Sequence, residues 1–227
     1  MSLTTKLALF AAFIFFMLIM AASYRKKKKR IIFFGDSLTA EGALFGGYIQ
    51  RIATYMQDEG IAAKYDLVGM GKNGDKVADL FNRMSRDILE RGADMVVIFI
   101  GINDVWQKNT EAEFAKVYKA MLEKLKSAGI RLILCTLPVI GEKVFEKNEA
   151  DNQLDQFTTT IQKFGMNFEI PVVNLREAFR NILVQTNEND VAAGILTRDG
   201  VHLNEKGNNL VAEEIWMVMR NEIALLK

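Results

Sequence analysis

The stretch "RIIFFGDSLTAEG", Arg30 to Gly42, decides how the rest of the chain is read. Four apolar residues, Ile31 to Phe34, run straight into Gly35-Asp36-Ser37-Leu38, and mostly small or polar residues follow. A short unbroken apolar run ending at a glycine is the pattern of a strand buried on both faces, as in a parallel sheet. The run delivers one serine, Ser37, to the carboxyl end of that strand.

Working outward, the same pattern recurs in "YDLVGM" (65–70), "DMVVIFIG" (94–101), "RLILCTL" (131–137) and "PVVNL" (171–175). Between these runs lie stretches of helical period. Val77, Leu80, Phe81, Met84 and Ile88 form one apolar stripe that ends near Gly92. Phe114, Val117, Tyr118, Met121, Leu122 and Leu125 form another, with Gly129 placed as its C-cap. Leu154, Phe157, Ile161 and Phe164 make a third, and Leu210, Val211, Ile215, Trp216 and Ile223 the last. Strand and helix in alternation predict an α/β domain with a five-stranded parallel sheet and helices on both faces. In such sheets ligands bind beyond the carboxyl ends of the strands. That rule singles out the loops after Gly35, Met70 and Gly101, and the 138–150 segment.

Length and composition narrow the class. A chain of 227 residues, half hydrophobic and a quarter charged, suits one globular domain with a sizeable core. Residues 1–30 hold seven basic and no acidic residues, so the other 22 basic and 28 acidic residues leave 31–227 at net −6. An acidic body argues against a nucleic-acid partner, which needs a basic footprint. The lone Cys135, inside an apolar run, excludes an internal disulfide and reads as a core residue. The lone His202 rules out a zinc site built on several histidines and is the sole source of imidazole.

The N-terminus carries sixteen apolar residues without a break, Leu7 to Ala22, followed by "RKKKKR". With Ser23 and Tyr24 the run approaches a bilayer-spanning length. The basic flank opposes its own export. The reading is therefore a membrane anchor over residues 7–24, within a 1–30 segment, holding a catalytic domain of residues 31–227 in the cytoplasm. A cleaved signal and an exported body are the alternative.

Four short signatures fall at the ends the sheet rule selects: "GDSL" (35–38), "GKNGD" (71–75), "GIND" (101–104) and "DGVH" (199–202). Each alone has a plain structural reading as a helix cap or a turn. Together they supply one chemistry. A serine needs a base to become a nucleophile, and the base needs a carboxylate to fix its tautomer. Asp199 and His202 are three residues apart, so one turn can join carboxylate to imidazole and leave the second nitrogen for Ser37. Gly74 offers an unshielded backbone N–H and Asn103 a side-chain amide for a developing oxyanion. Asn204 is placed to cap the last helix and hold the "DGVH" turn.

These four blocks, in this order, resemble the GDSL or SGNH hydrolase superfamily of serine esterases, lipases and acylhydrolases. Its blocks are matched by Ser37, Gly74, Asn103 and His202, and its third triad member by Asp199. The resemblance spans roughly residues 30 to 225. It implies a flavodoxin-like three-layer α/β/α fold, a Ser37–His202–Asp199 triad, and an oxyanion hole from the Ser37 and Gly74 amides with the Asn103 side chain. It implies no cofactor and no metal. The G-x-S-x-G elbow of α/β-hydrolases is absent from "GDSLTAEG".

The expected activity is hydrolysis of a carboxylic ester through an acyl-serine. A lysophospholipid or a small acyl or acetyl ester is the expected substrate, with a carbohydrate O-acetyl ester as the alternative. A silent scaffold of the same fold is the rival class, and none of the five positions is missing. A flavodoxin-like nucleotide binder would want a glycine-rich phosphate loop after the first strand, and none is present. Segments 136–143 and 185–198 carry no legible signature.

Overall fold

The computed structural model of the protein describes residues 2–23, 27–144 and 147–226. Five strands, β1 (Lys29–Gly35), β2 (Tyr65–Gly71), β3 (Met95–Phe99), β4 (Arg131–Cys135) and β5 (Val172–Val173), form one parallel sheet in the order β2-β1-β3-β4-β5. Ile31, Ile32, Phe33 and Phe34 are all fully buried, which explains a run with no polar alternation: both faces of β1 are covered. Each such side chain contributes about 1.5–3 kcal/mol over its exposed state.

The covering helices form two layers. One contains α3 (Tyr48–Asp58), α8 (Leu175–Thr186) and α9 (Glu205–Ile223), and the other α4 (Val77–Met84), α6 (Glu111–Ser127) and α7 (Asp151–Phe168). Two short helices, α2 (Ser37–Gly42) and α5 (Ile102–Trp106), open directly from the ends of β1 and β3. The sheet order reverses between β1 and β3, so the crevice at their carboxyl ends is the place the fold makes for a ligand.

The structure trims two of the expected elements. The 171–175 run supplies only a two-residue strand, because Pro171 has no N–H to give and Leu175 already begins α8. Pro171 still takes part as an acceptor, its carbonyl 3.0 Å from the Leu134 amide. The helical pattern ending at Ile88 closes in a π-turn, Ser85–Leu89, rather than a continued α-helix. Helices α3 and α8 were not among the expected stripes, although Tyr48, Ile49, Ile52 and Met56 bury one face of α3.

The N-terminal expectation is overturned. Among the described residues no helix is long and apolar enough to cross a membrane. A helix does form, Leu3–Ser23, but it opens on Thr4, Thr5 and Lys6. Its sixteen-residue apolar run rises only about 24 Å at 1.5 Å per residue, against a hydrocarbon core of about 30 Å. The transmembrane segment over 7–24 is therefore not a feature of the fold, and the membrane-anchored location falls with it. Tyr24, Arg25 and Lys26, part of that expectation, lie outside the described residues.

Candidate active site

Ser37 owes its position to a tight junction between strand and helix. Asp36 is the N-cap of α2, its Oδ1 accepting from the Leu38 amide at 3.0 Å, and Ser37 is the first helical residue. The cap is thus Asp36 and not the serine, which leaves the Ser37 hydroxyl free of a capping role. As the first residue of a helix, Ser37 also has a backbone N–H with no intrahelical acceptor. The junction demands glycine at its start: a Cβ on Gly35 would come within 2.2 Å of the Phe99 carbonyl and 2.3 Å of Thr39 Oγ1.

The loops after β2 and β3 converge on the same place. Gly74 has φ +80°, the left-handed region that favours glycine, and no neighbour stands within 4 Å of where a side chain would be. Asn103, on α5, donates from Nδ2 to the Asp75 carbonyl at 3.0 Å, which ties the second loop to the third. Arg83 ties the second loop to the first. Its guanidinium donates to Asp75 Oδ2 at 2.7 Å, to the Gly35 carbonyl at 2.9 Å and to the Met70 carbonyl at 3.0 Å. It also lies over the Phe34 ring, 4.5 Å from the centroid.

Asp199 and His202 come from a turn far away in sequence. Asp199 Oδ1 accepts from the Val201 and His202 amides at 3.0 and 2.7 Å, and Oδ2 lies 2.7 Å from His202 Nδ1. Burial alone would raise the pKa of Asp199, but these hydrogen bonds from His202 and Val201 hold it down at about 2. An ionised carboxylate can only accept, so the ring proton sits on Nδ1 and Nε2 is left as an acceptor. Ser37 Oγ lies 3.2 Å from that Nε2. A hydroxyl so placed can lose its proton to the imidazole as it attacks a carbonyl carbon. Asn204 caps α9 as expected, accepting from the Gly207 amide at 3.0 Å.

The turn itself is held by a residue the sequence did not single out. Glu142 is fully buried and accepts four hydrogen bonds of 2.5–2.8 Å, from the Ile195, Leu196 and Thr197 amides and from Thr197 Oγ1. Its own amide donates to the Ala192 carbonyl at 3.0 Å, and the adjacent Gly141 amide donates to the Gly200 carbonyl at 2.8 Å. Thr197 Oγ1 in turn accepts from the Gly200 amide at 3.0 Å. One carboxylate therefore fixes the chain immediately before Asp199. No periodic pattern flags a single glutamate in "TLPVIGEK"; the only available signal is an acid at the end of an apolar run, with Lys143 beside it.

Two buried carboxyls, Asp36 next to the serine and Asp104 on α5, feel each other's charge. Asp36 is pushed up to about 7, chiefly by burial, with Asp104 adding to the rise and the Leu38 amide opposing it. Asp36 Oδ2 is buried without a hydrogen-bond partner. Asp104 is raised to about 6, again chiefly by burial, against hydrogen bonds from the Val77 amide and Asn109. Among the described residues no cluster of three His, Cys, Asp or Glu side chains is placed to hold a metal ion.

Comparison with known proteins identifies the family. The GDSL-like Lipase/Acylhydrolase family matches residues 33–210. An acetylxylan esterase of Geobacillus stearothermophilus is 26% identical over 201 residues, 80% of this chain and 89% of that protein. The crystal structure of an acetyl xylan esterase, AlAXEase, is similar at a TM-score of 0.80 and 38% identity, covering 83% of this chain and 98% of that one. LAE5, an alpha/beta hydrolase from the metagenome of Lake Arreo, Spain, shares the fold at a TM-score of 0.74 and 20% identity, covering 85% and 95%. Since the family match takes in the end of β1, the other four strands and every loop that meets at Ser37, the chain belongs to the GDSL-like lipase/acylhydrolase family and is a serine hydrolase of carboxylic esters.

Proposed function

We propose that the enzyme removes acetyl groups from carbohydrate hydroxyls, with residues 31–227 as its catalytic domain. The observation that carries the reading is the relay from Ser37 Oγ through His202, 3.2 Å on one side and 2.7 Å from Asp199 on the other. The substrate class is supported by relatives that are themselves acetylxylan esterases. The lysophospholipid expectation leaned on a membrane anchor, and with that anchor withdrawn its main support is gone.

In this reading His202 Nε2 takes the Ser37 proton while Oγ attacks the acetyl carbonyl. The Ser37 and Gly74 amides and the Asn103 side chain receive the oxyanion. The sugar oxygen then leaves with the proton from His202, and the acetyl group stays on the serine. Water, giving its proton to the same nitrogen, attacks the acetyl-serine. Acetate departs, and the proton returns to Oγ. Asp199 holds the imidazole in its tautomer and faces the cation that forms transiently.

The test is acetate release by the full chain from acetylated xylo-oligosaccharides, alongside fatty-acid release from lysophosphatidylcholine. The expected result is turnover of the sugar, with Ser37→Ala slower by about 10⁴-fold or more and no longer labelled by a fluorophosphonate. Faster hydrolysis of the lysophospholipid would overturn the substrate class. Labelling that persists in Ser37→Ala would overturn the nucleophile.

A further inference from the structure

We propose that Trp106 is the platform against which the sugar ring of the substrate packs, in a cleft that opens beside Asp199; this rests on the carbohydrate reading above. The chain contains two tryptophans. Trp216 is 8% exposed and belongs to the core, whereas Trp106 is 66% exposed. An exposed indole is an unusual use of the largest apolar side chain, and its place in the fold is specific.

Trp106 is the last residue of α5, three positions after Asn103. Residues three apart lie on the same face of a helical turn, roughly 5–6 Å from Cβ to Cβ. One face of α5 thus carries first the amide assigned to the oxyanion and then the indole. A group whose carbonyl sits at Asn103 has its remainder within reach of Trp106. Lys108, just beyond, has φ 58°, a left-handed backbone that stops the helix directly after the indole.

Trp106 lines a cleft of about 580 Å³ that the Asp199–Val201 turn also lines. That size lies in the ~300–1,000 Å³ range of small-ligand sites. Its lining mixes apolar and hydrogen-bonding groups, among them Ile140 and Val201, and Lys108 and Gln153. Gln153 spends Nε2 on the Asn109 carbonyl at 2.7 Å, so its Oε1 remains an acceptor for a hydroxyl. A sugar ring has that same double character, an apolar C–H face and a rim of hydroxyls. An extended acyl chain would leave the polar lining unpaired.

The experiment compares two acetyl esters hydrolysed by the full-length enzyme: an acetylated xylo-oligosaccharide and vinyl acetate, which carries the same acyl group and no ring. In Trp106→Ala the ratio of kcat/KM for the sugar to kcat/KM for vinyl acetate falls about tenfold, through KM, and Trp106→Phe recovers most of it. Phe45, a fully exposed aromatic in a separate cleft that Arg198 also lines, serves as the control, and Phe45→Ala leaves both substrates unchanged. In Ser37→Ala, the oligosaccharide shields Trp106 fluorescence from acrylamide while buried Trp216 responds little. A fall of equal size on both substrates, or a sugar-specific loss in Phe45→Ala instead, overturns the platform. Turnover of vinyl acetate with no turnover of any acetylated sugar by the unaltered enzyme overturns the carbohydrate reading, and the platform with it.

Discussion

The serine side of the site and the histidine side stand on different supports. Ser37, Gly74 and Asn103 each follow within a few residues of β1, β2 and β3, three adjacent strands in continuous parallel register. Asp199 and His202 lie in residues 187–204, where the only paired backbone of strand type is the single Thr197–Leu203 bridge. On the first side, position is shared among many ladder hydrogen bonds and a buried core. On the second, it is concentrated in Glu142 and a few loop contacts. A sheet passes on its precision to whatever follows it, whereas a loop has to be fastened by individual side chains.

Substitutions on the two sides sharpen this contrast. The largest effect of the three is expected from Asn103→Ala on the sheet side, where kcat falls about 10²–10³-fold with KM and melting temperature little changed. If melting temperature falls as steeply as kcat, the Asn103–Asp75 tie is holding the loops together and the amide is not acting on the oxyanion.

Glu142→Gln probes the loop side. Glutamine keeps one oxygen for the Leu196 and Thr197 donors but sets an NH₂ against the Ile195 amide. Two donors face each other there, and the turn shifts. A displacement of about 1 Å costs up to about 10²-fold in rate, and a fall in kcat of about 10–10²-fold is expected here. Hydrogen exchange at 195–197 should speed up while the strands stay protected. Unchanged kcat with accelerated exchange would break the comparison, because the turn would then be held without its carboxylate.

The third effect is on stability and leaves turnover aside. Asp36 is held at about 7 against an ordinary 3.8, so between those values the folded chain keeps a proton that the unfolded chain has lost. Stability from this group is therefore greatest below about pH 4 and declines as pH rises to about 7. Asp104, raised to about 6, adds a slope of the same sign. Asp36→Asn should flatten the decline by about 2–4 kcal/mol between pH 4 and 7.5, read from urea midpoints at both ends. A slope identical to that of the unaltered protein would show that Asp36 is already charged when buried.

Legibility followed the same division. The apolar runs 31–34, 96–100 and 132–135 read as buried strands because both faces of the sheet are covered and no polar residue interrupts them. Ser37, Gly74 and Asn103 could be singled out because short motifs set unusual residues just after strands, and Asp199 and His202 because the chain's lone histidine follows an aspartate by three residues. Glu142 and Arg83 were not found, because each acts across long distances in sequence, 53–55 residues from Glu142 to its partners and 48 from Arg83 to Gly35. Nothing in the sequence distinguishes exposed Trp106 from buried Trp216, because exposure is set by packing. The N-terminal run has the composition of a membrane span, but among the described residues no helix is long and apolar enough to cross one.

By itself the sequence determined the alternation of strands and helices, the parallel sheet, and the set of side chains that could do acyl transfer. Those follow from local propensity and from the burial that each apolar run requires. Only the tertiary structure decided that His202 Nε2 meets Ser37 Oγ across 165 residues, that Glu142 anchors the turn that brings it there, and that Trp106 lines a cleft. Such contacts depend on how whole layers pack, and no local stretch of chain contains that information.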